Sequence, residues 1–269
     1  MLYLHENLQK FREEKALFPL LDSLRSVHLD IFGTKLTGIY LHGSLAFGCF
    51  RWENSDIDFL TVVNAPVTES EKQALLAWIL SVQELCPPKG LEMSIVEEHC
   101  CRIFRYPTPY LFHYSNGHLE NAVKDPAAYC AAMHGTDPDL AAHFTVTRAV
   151  GIPLYGPATA DLFAPVPAGD YLSSLLYDVE NMEDDIAAAP VYCTLNLCRV
   201  LAFCRDGKVL SKAEGALWGL THLEPIWHPI LRQAADAYRF GTAMTAEEDT
   251  LRRFAVHCLG EIREAIPKQ

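Results

Sequence analysis

Asp56 and Asp58 stand two residues apart in "SDIDFLTVV", and in an extended chain that spacing turns both carboxylates to one side. Like charges held so close repel unless water or a cation lies between them. A third acid, Glu92 in "LEMSIVEE", belongs to another run of strand character and can reach the same place from a neighbouring strand. Upstream, the apolar run "LTGIYLHG" ends at Gly43-Ser44. A glycine there lets an anion approach the backbone, and Ser44 adds an N–H and a hydroxyl at the start of a short helix. Three carboxylates beside such a turn make a hard-oxygen site suited to Mg2+, which binds through few carboxylates plus substrate phosphates. The chemistry this favours is in-line transfer, with an α-phosphate clamped, a hydroxyl attacking and pyrophosphate leaving. Gly-Ser alone means nothing, and Asp-x-Asp alone is commonly a solvated turn; the combination carries the reading.

The elements that must hold these residues can be read from the flanks. One or two helices occupy roughly residues 5–33, then "LTGIYLHG" reads as a buried strand and "SDIDFLTVV" as a second. "TESEKQALLAWILSVQEL" has helical periodicity with Thr68 or Ser70 as N-cap, and "LEMSIVEE" is a third strand. Residues 99–134, aromatic-rich with Pro107 and Pro109, read as strands and loops near a site. "DPDLAAHFTVTRAVG" reads as a helix capped by Asp137. The Pro/Gly-dense "GIPLYGPATADLFAPVPAG" marks the domain boundary, and beyond it the text is helical over about 169–188, 191–206, 211–221, 225–240 and 246–264. The expected fold is an α/β domain over residues 1–157, a small mixed sheet with helices, followed by an all-α bundle over residues 158–269.

Composition narrows the function classes. The chain has 269 residues, half of them hydrophobic and about a fifth charged, which is ordinary globular usage. With 22 basic against 34 acidic residues the formal charge is −12, and no Lys/Arg cluster appears, so a nucleic-acid backbone is not an expected partner. An acidic balance suits a cationic small molecule. No apolar run is long enough to span a membrane, and "MLYLHENLQKFREEKALF" has no signal-peptide core, so a cytoplasmic, monomeric protein is expected. The nine cysteines lack a CxxC pair or zinc spacing and read as reduced, buried thiols.

"HGSLAFGCFRWENSDIDFLTVV" resembles the Gly-Ser…Asp-x-Asp signature of the polymerase-β-like nucleotidyltransferase superfamily. More narrowly, the chain is similar to the streptomycin/spectinomycin adenylyltransferases, a family with a helical C-terminal domain. The segments "DPDLA", "LYGPATADLFAPVP", "TLNLCRVLAF", "GKVLSKAEGALWGL" and "AADAYRFG" follow that family's order. The resemblance implies ATP as donor, Mg2+ as cofactor and AMP transfer to a hydroxyl of an aminoglycoside or aminocyclitol antibiotic. It also implies that Gly43, Ser44 and Ser55 hold the triphosphate and that Asp56 and Asp58 bind the metal. Glu92 matches the base for the acceptor hydroxyl, with metal ligation open to it too. Asp139, Arg199, Lys212 and Tyr238 match nucleotide-contacting positions.

The acceptor side departs from the family. Its Glu-Trp-Leu segment is replaced in "LFHYSNGHLE" by Tyr114 and Ser115, and no Trp precedes "TLNLCR". What stands there is an acidic run, Asp178, Glu180, Glu183, Asp184 and Asp185, in which Asp178 and Asp185 would share one helix face. Such a row can hold ammonium or guanidinium groups. Asp178, Asp185 and Tyr114 are therefore the expected acceptor contacts, with His113 and His118 nearby. Two other functions compete: the same chemistry on a protein or RNA acceptor, for which the Arg252-x4-His257 spacing is a loose sign, and ATP binding without turnover.

Overall fold

Two helices, α1 (Glu6–Gln9) and α2 (Leu17–Phe32), lead into the first strand, β1 (Leu36–Leu41). The order then runs α3 (Gly43–Phe47), β2 (Ile57–Val63), α4 (Glu69–Ser81), β3 (Leu91–Glu97), α5 (Glu98–Arg102), β4 (Thr108–Tyr110) and β5 (Phe112–Tyr114). After α6 (Leu119–Lys124), α7 (Pro126–Ala132) and β6 (Gly135–Asp137) come α8 (Leu140–Val150), β7 (Ile152–Tyr155) and α9 (Thr159–Leu162). The computed structural model describes residues 5–265, which divide into two compact units that part after Pro167.

In the first unit the sheet has the order β5-β3-β2-β1-β7, with β4 and β6 as a separate pair. Only β2 and β3 run parallel; their long connection through α4 is what a parallel pair requires. The period-2 alternation of side chains sends each strand's residues to two different layers. Ile39, Leu41, Ile57, Phe59, Met93 and Ile95 face a large core shared with Leu20, Leu24, Leu76 and Ile79 of α2 and α4. Tyr40, Leu60, Val62 and Val96 face a smaller one completed by Leu140 and Phe144 of α8 and by Phe163. Thr68 starts α4 with a reciprocal capping box: its hydroxyl accepts from the Glu71 N–H while the Glu71 carboxylate accepts from the Thr68 N–H.

The second unit is helical: α10 (Ala168–Val179), α11 (Met182–Asp185), α12 (Pro190–Asp206), α13 (Lys212–His222), α14 (His228–Phe240) and α15 (Glu248–Ala265). The centre is α12, which packs against α10, α13, α14 and α15 and buries Leu195, Leu197, Cys198, Val200 and Leu201. The expected arrangement, a mixed α/β part followed by a helical part, is the one observed.

Two local expectations are corrected. The helix expected over 169–188 is interrupted: α10 stops at Val179 and a single turn, α11, restarts at Met182, with the Asn181 carbonyl accepting from the Asp184 and Asp185 N–H groups at 3.0 Å. Accumulating carboxylates towards a helix C-terminus works against the dipole and against like charges one turn apart, which favours that break. Asp137 ends β6, and the N-cap of α8 is Asp139 instead; the Asp137 carboxylate accepts from the Asp139 N–H at 2.8 Å. None of the nine cysteines is in a disulfide; seven are buried, and Cys49 and Cys204 only partly so. Among the described residues no helix is long and apolar enough to cross a membrane.

Candidate active site

Strand register assembles the carboxylates. Asp58 and Glu92 are direct partners across the parallel β2–β3 pair, and Asp56 enters from the residue but one before Asp58. Ligand oxygens of all three lie within 4.8 Å of one another. They sit on the sheet face that carries α8, because Ile57, Phe59, Leu91 and Met93 claim the other face. β1 runs antiparallel to β2, so its C-terminal end delivers the Gly43-Ser44 turn to the same edge, where the His42 N–H donates to the Asp58 carbonyl at 3.0 Å.

That turn requires glycine. Gly43 has φ +56°, and a Cβ there would run into the Asp58 carboxylate. The Ser44 hydroxyl is buried with no hydrogen-bond partner among the described residues, an uncommon state for a polar group. A cradle closed to any side chain, an orphaned hydroxyl and a carboxylate-only donor set suit a phosphate and a hard divalent cation such as Mg2+. Ser55 closes the preceding loop: its N–H donates to the Arg51 carbonyl at 2.8 Å, and its hydroxyl accepts from the Arg51 N–H at 3.1 Å. Its observed contacts thus fix the approach of Asp56.

Histidine supplies what the spacing of acids alone did not reveal. His143, one turn into α8, places Nε2 3.2 Å from Asp139 Oδ2, and its ring lies 4.7 Å from that of His42. Burial works against the imidazolium, but the Asp139 carboxylate, then Glu92 and Asp58, outweigh it and raise the His143 pKa to about 10. Its neighbour responds in the opposite sense: burial, then the charged His143, drives His42 well below the usual histidine range, so His42 is neutral. Glu92 is raised, by burial first and also by Asp56, Asp139 and Asp137, with His143 opposing. A carboxylate raised in this way accepts a proton more readily than an ordinary one. No motif announced His143; the available signal was its i+4 spacing from Asp139 on a predicted helix.

Further along the same face, Ser94 follows Glu92 by two residues and is paired in register with His113 on β5. The Ser94 hydroxyl and His113 Nδ1 are 2.9 Å apart. Tyr114 alternates to the opposite face, where it is fully buried in the larger core and its hydroxyl accepts from Gln83 at 2.8 Å. The expectation of Tyr114 as an acceptor contact is thereby corrected, since Tyr114 lies in the core; its neighbour His113 is the residue facing the carboxylates' side.

In the second unit, Asp178, at the end of α10, accepts from the Tyr192 hydroxyl at 2.7 Å and from the Asn196 amide at 3.3 Å. Arg199 donates through Nη1 to the Asn196 side-chain oxygen and through Nε to the Leu210 carbonyl, both at 2.9 Å. Lys212, the first residue of α13, carries its ammonium 4.7 Å from the centre of the Tyr192 ring. The structure therefore brings Asp178, Arg199 and Lys212 together through Tyr192 and Asn196, two residues sequence reading passed over. Tyr238 packs against Leu195, Ala216 and Ala234. Asp185 is exposed on the one-turn α11, so the expected shared helix face with Asp178 is lost to the break at Asn181. Arg252 pairs with Glu248 at 3.0 Å and His257 lies against Trp227, which leaves them as ordinary members of α15.

Comparison with known proteins bears on the family and the fold. Residues 161–261 match the family model described as the aminoglycoside adenylyltransferase C-terminal domain. A spectinomycin 9-adenylyltransferase of Staphylococcus aureus is 26% identical over 217 residues, 78% of this chain and 80% of that protein. An aminoglycoside (3'') (9) adenylyltransferase of Escherichia coli is 26% identical over 244 residues, 87% of this chain and 90% of that protein. The chain is a relative of the aminoglycoside adenylyltransferases. The fold agrees with the crystal structure of spectinomycin adenyltransferase AAD(9) from Enterococcus faecialis with ATP and spectinomycin: the TM-score is 0.75 at 17% identity, over 91% of this chain and 99% of that one. The family resemblance read from the sequence and the enzyme class it implied, a nucleotidyltransferase, both stand.

Proposed function

We propose that this relative of the aminoglycoside adenylyltransferases transfers AMP from ATP to a hydroxyl of an aminoglycoside or aminocyclitol antibiotic of the spectinomycin or streptomycin type. The observation that carries the proposal is the meeting of Asp56, Asp58 and Glu92 beside the Gly43-Ser44 turn. Asp56 and Asp58 would hold Mg2+, with Glu92 a third oxygen donor, and the bound ion would supply charge neutralisation at the α-phosphate. Gly43 and Ser44 would seat the phosphate chain through the backbone and the unpartnered hydroxyl. Glu92 takes the proton from the acceptor hydroxyl as its oxygen bonds to the α-phosphorus and the α–β phosphoanhydride bond breaks, releasing pyrophosphate. On the resemblance, Asp139, Arg199, Lys212 and Tyr238 contact the nucleotide. Asp178 supplies a carboxylate for a cationic drug, and His113 with Ser94 lies on the face from which an acceptor would approach Glu92. The acidic balance favours a cationic small acceptor over RNA.

The test is mass spectrometry of purified protein incubated with ATP, Mg2+ and a panel including spectinomycin, streptomycin and other aminoglycosides. An adduct of one adenylyl group on a drug is the expected result. Adenylylation of added protein or RNA, with every drug unchanged, would replace the proposed acceptor; ATP bound but never consumed would refute turnover.

A further inference from the structure

We infer that His143 is a positioning residue of the nucleotide site, holding the Asp139 carboxylate and the His42–Gly43–Ser44 turn in fixed register with each other. The inference rests on the proposed reading that Asp139 and the turn bind ATP. Its basis is that one side chain touches both parts. On one side His143 Nε2 meets Asp139 Oδ2 at 3.2 Å, an i,i+4 pair along α8. On the other, its ring lies 4.7 Å from the ring of His42, at an interplanar angle of 43°. His42 is buried, leads directly into Gly43 and is pinned by its N–H to the Asp58 carbonyl. α3, which begins at Gly43, packs against α8, so the imidazole lies where the helix bearing Asp139 meets the turn bearing Ser44.

The choice of residue has a physical logic. His42 is enclosed and its ring lies against that of His143, so the turn is held by ring packing as well as by its backbone hydrogen bond. Asp139 is restrained twice, by the charged ring at its carboxylate and by the Asp137 carboxylate at its backbone N–H. Side chains locked in this way lose little freedom when a ligand arrives, which is how supporting residues raise affinity without touching the ligand. An apolar residue at 143 would keep the packing and release the carboxylate.

The experiment is calorimetric titration of Mg-ATP into the full chain. His143→Leu is expected to weaken binding about tenfold, the usual size for one charge-assisted contact, with thermal unfolding still cooperative. Asp139→Asn should cost the same, and the double variant no more than either alone, because the two side chains act as one unit. His143→Gln, which keeps an N–H directed at Asp139, should recover most of the loss; a purely space-filling role would favour Leu over Gln. Wild-type affinity in His143→Leu, or additive losses in the double variant, would overturn the inference. Should His143→Leu fail to fold, the cycle is run with His143→Phe, which keeps a ring against His42 but offers Asp139 no N–H, and a loss additive with Asp139→Asn has the same meaning. A wild-type protein that binds no Mg-ATP overturns this inference together with the nucleotide reading. ATP binding with no drug modified touches only the acceptor.

Discussion

Two histidines on opposite faces of one sheet show how the first unit separates stability from chemistry. His28, in α2, lies on the face of the larger core among Phe32, Phe59 and Trp78, with the Leu24 carbonyl 2.7 Å from Nδ1. Burial lowers its pKa to about 4, the backbone contact only partly opposing, so it is neutral. His143, only partly buried, is raised to about 10 because carboxylates of Asp139, Glu92 and Asp58 outweigh its desolvation. Burial pushes both rings the same way; what differs is whether acids wait within reach. One face spends its enclosed volume on apolar packing, and the other accepts mutual repulsion among acids, a cost retained where a charged ligand is to be bound.

The largest test of that contrast is to neutralise the acids. Asp56→Asn or Asp58→Asn should lower adenylyl transfer by about 10³ or more, since the metal loses a ligand and the α-phosphate its alignment. Thermal stability should hold or rise, because a like charge is removed; a variant that unfolds would make these residues structural after all. Glu92→Gln follows, with the chemical step slowed about 10²–10³ and ATP affinity kept within a few-fold if the residue acts chiefly as base. A collapse of ATP binding by calorimetry would assign Glu92 to the metal instead.

On the apolar face the expected effect is on stability. The unfolded chain protonates His28 near 6.5 while the folded chain resists to about 4, so stability present above pH 6.5 is lost as pH falls towards 4. The loss amounts to about 3 kcal/mol at most, and His28→Phe should flatten that acid limb in urea melts from pH 7 to pH 4.5 without altering turnover at pH 7.5. An unchanged acid limb would mean His28 is protonated in the folded state. The smallest effect belongs to the second unit: Asp178→Asn should raise the acceptor KM a few-fold and Asp185→Asn less, since only Asp178 is built into a side-chain network. Equal effects would restore the acidic run as a single surface.

Much of this contrast was legible in the sequence, and the reasons are specific. Gly43-Ser44, Asp56-x-Asp58 and Glu92 were readable because each attaches to a strand whose period of two dictates the side it faces. The strands themselves showed as short apolar runs, and α4 through Thr68 and its capping partner. What escaped depends on contacts between distant positions. Its place in the segment that stands for the family's Glu-Trp-Leu points to Tyr114 as a site residue, yet only the register Met93↔Tyr114 reveals that it faces the larger core and that His113 faces the carboxylates' side. The break at Asn181 was hidden by acceptable helical periodicity, and with it went the shared face of Asp178 and Asp185. His143 was invisible as a charged residue, since its state depends on three carboxylates that only the folded sheet brings near. Tyr192 and Asn196 read as ordinary helical residues until Asp178 and Arg199 met across them.

The most direct measurement of the central claim, that the acidic face performs adenylyl transfer, follows the label from ATP. Protein, Mg2+, spectinomycin and streptomycin are incubated with ATP carrying a radiolabelled α-phosphate, and in parallel with ATP labelled at the γ-phosphate. The α-label is predicted to appear on a drug and the γ-label in pyrophosphate, with both signals lost in Asp58→Asn. Transfer of the γ-label to the drug, or α-label transfer undiminished in Asp58→Asn, would contradict it.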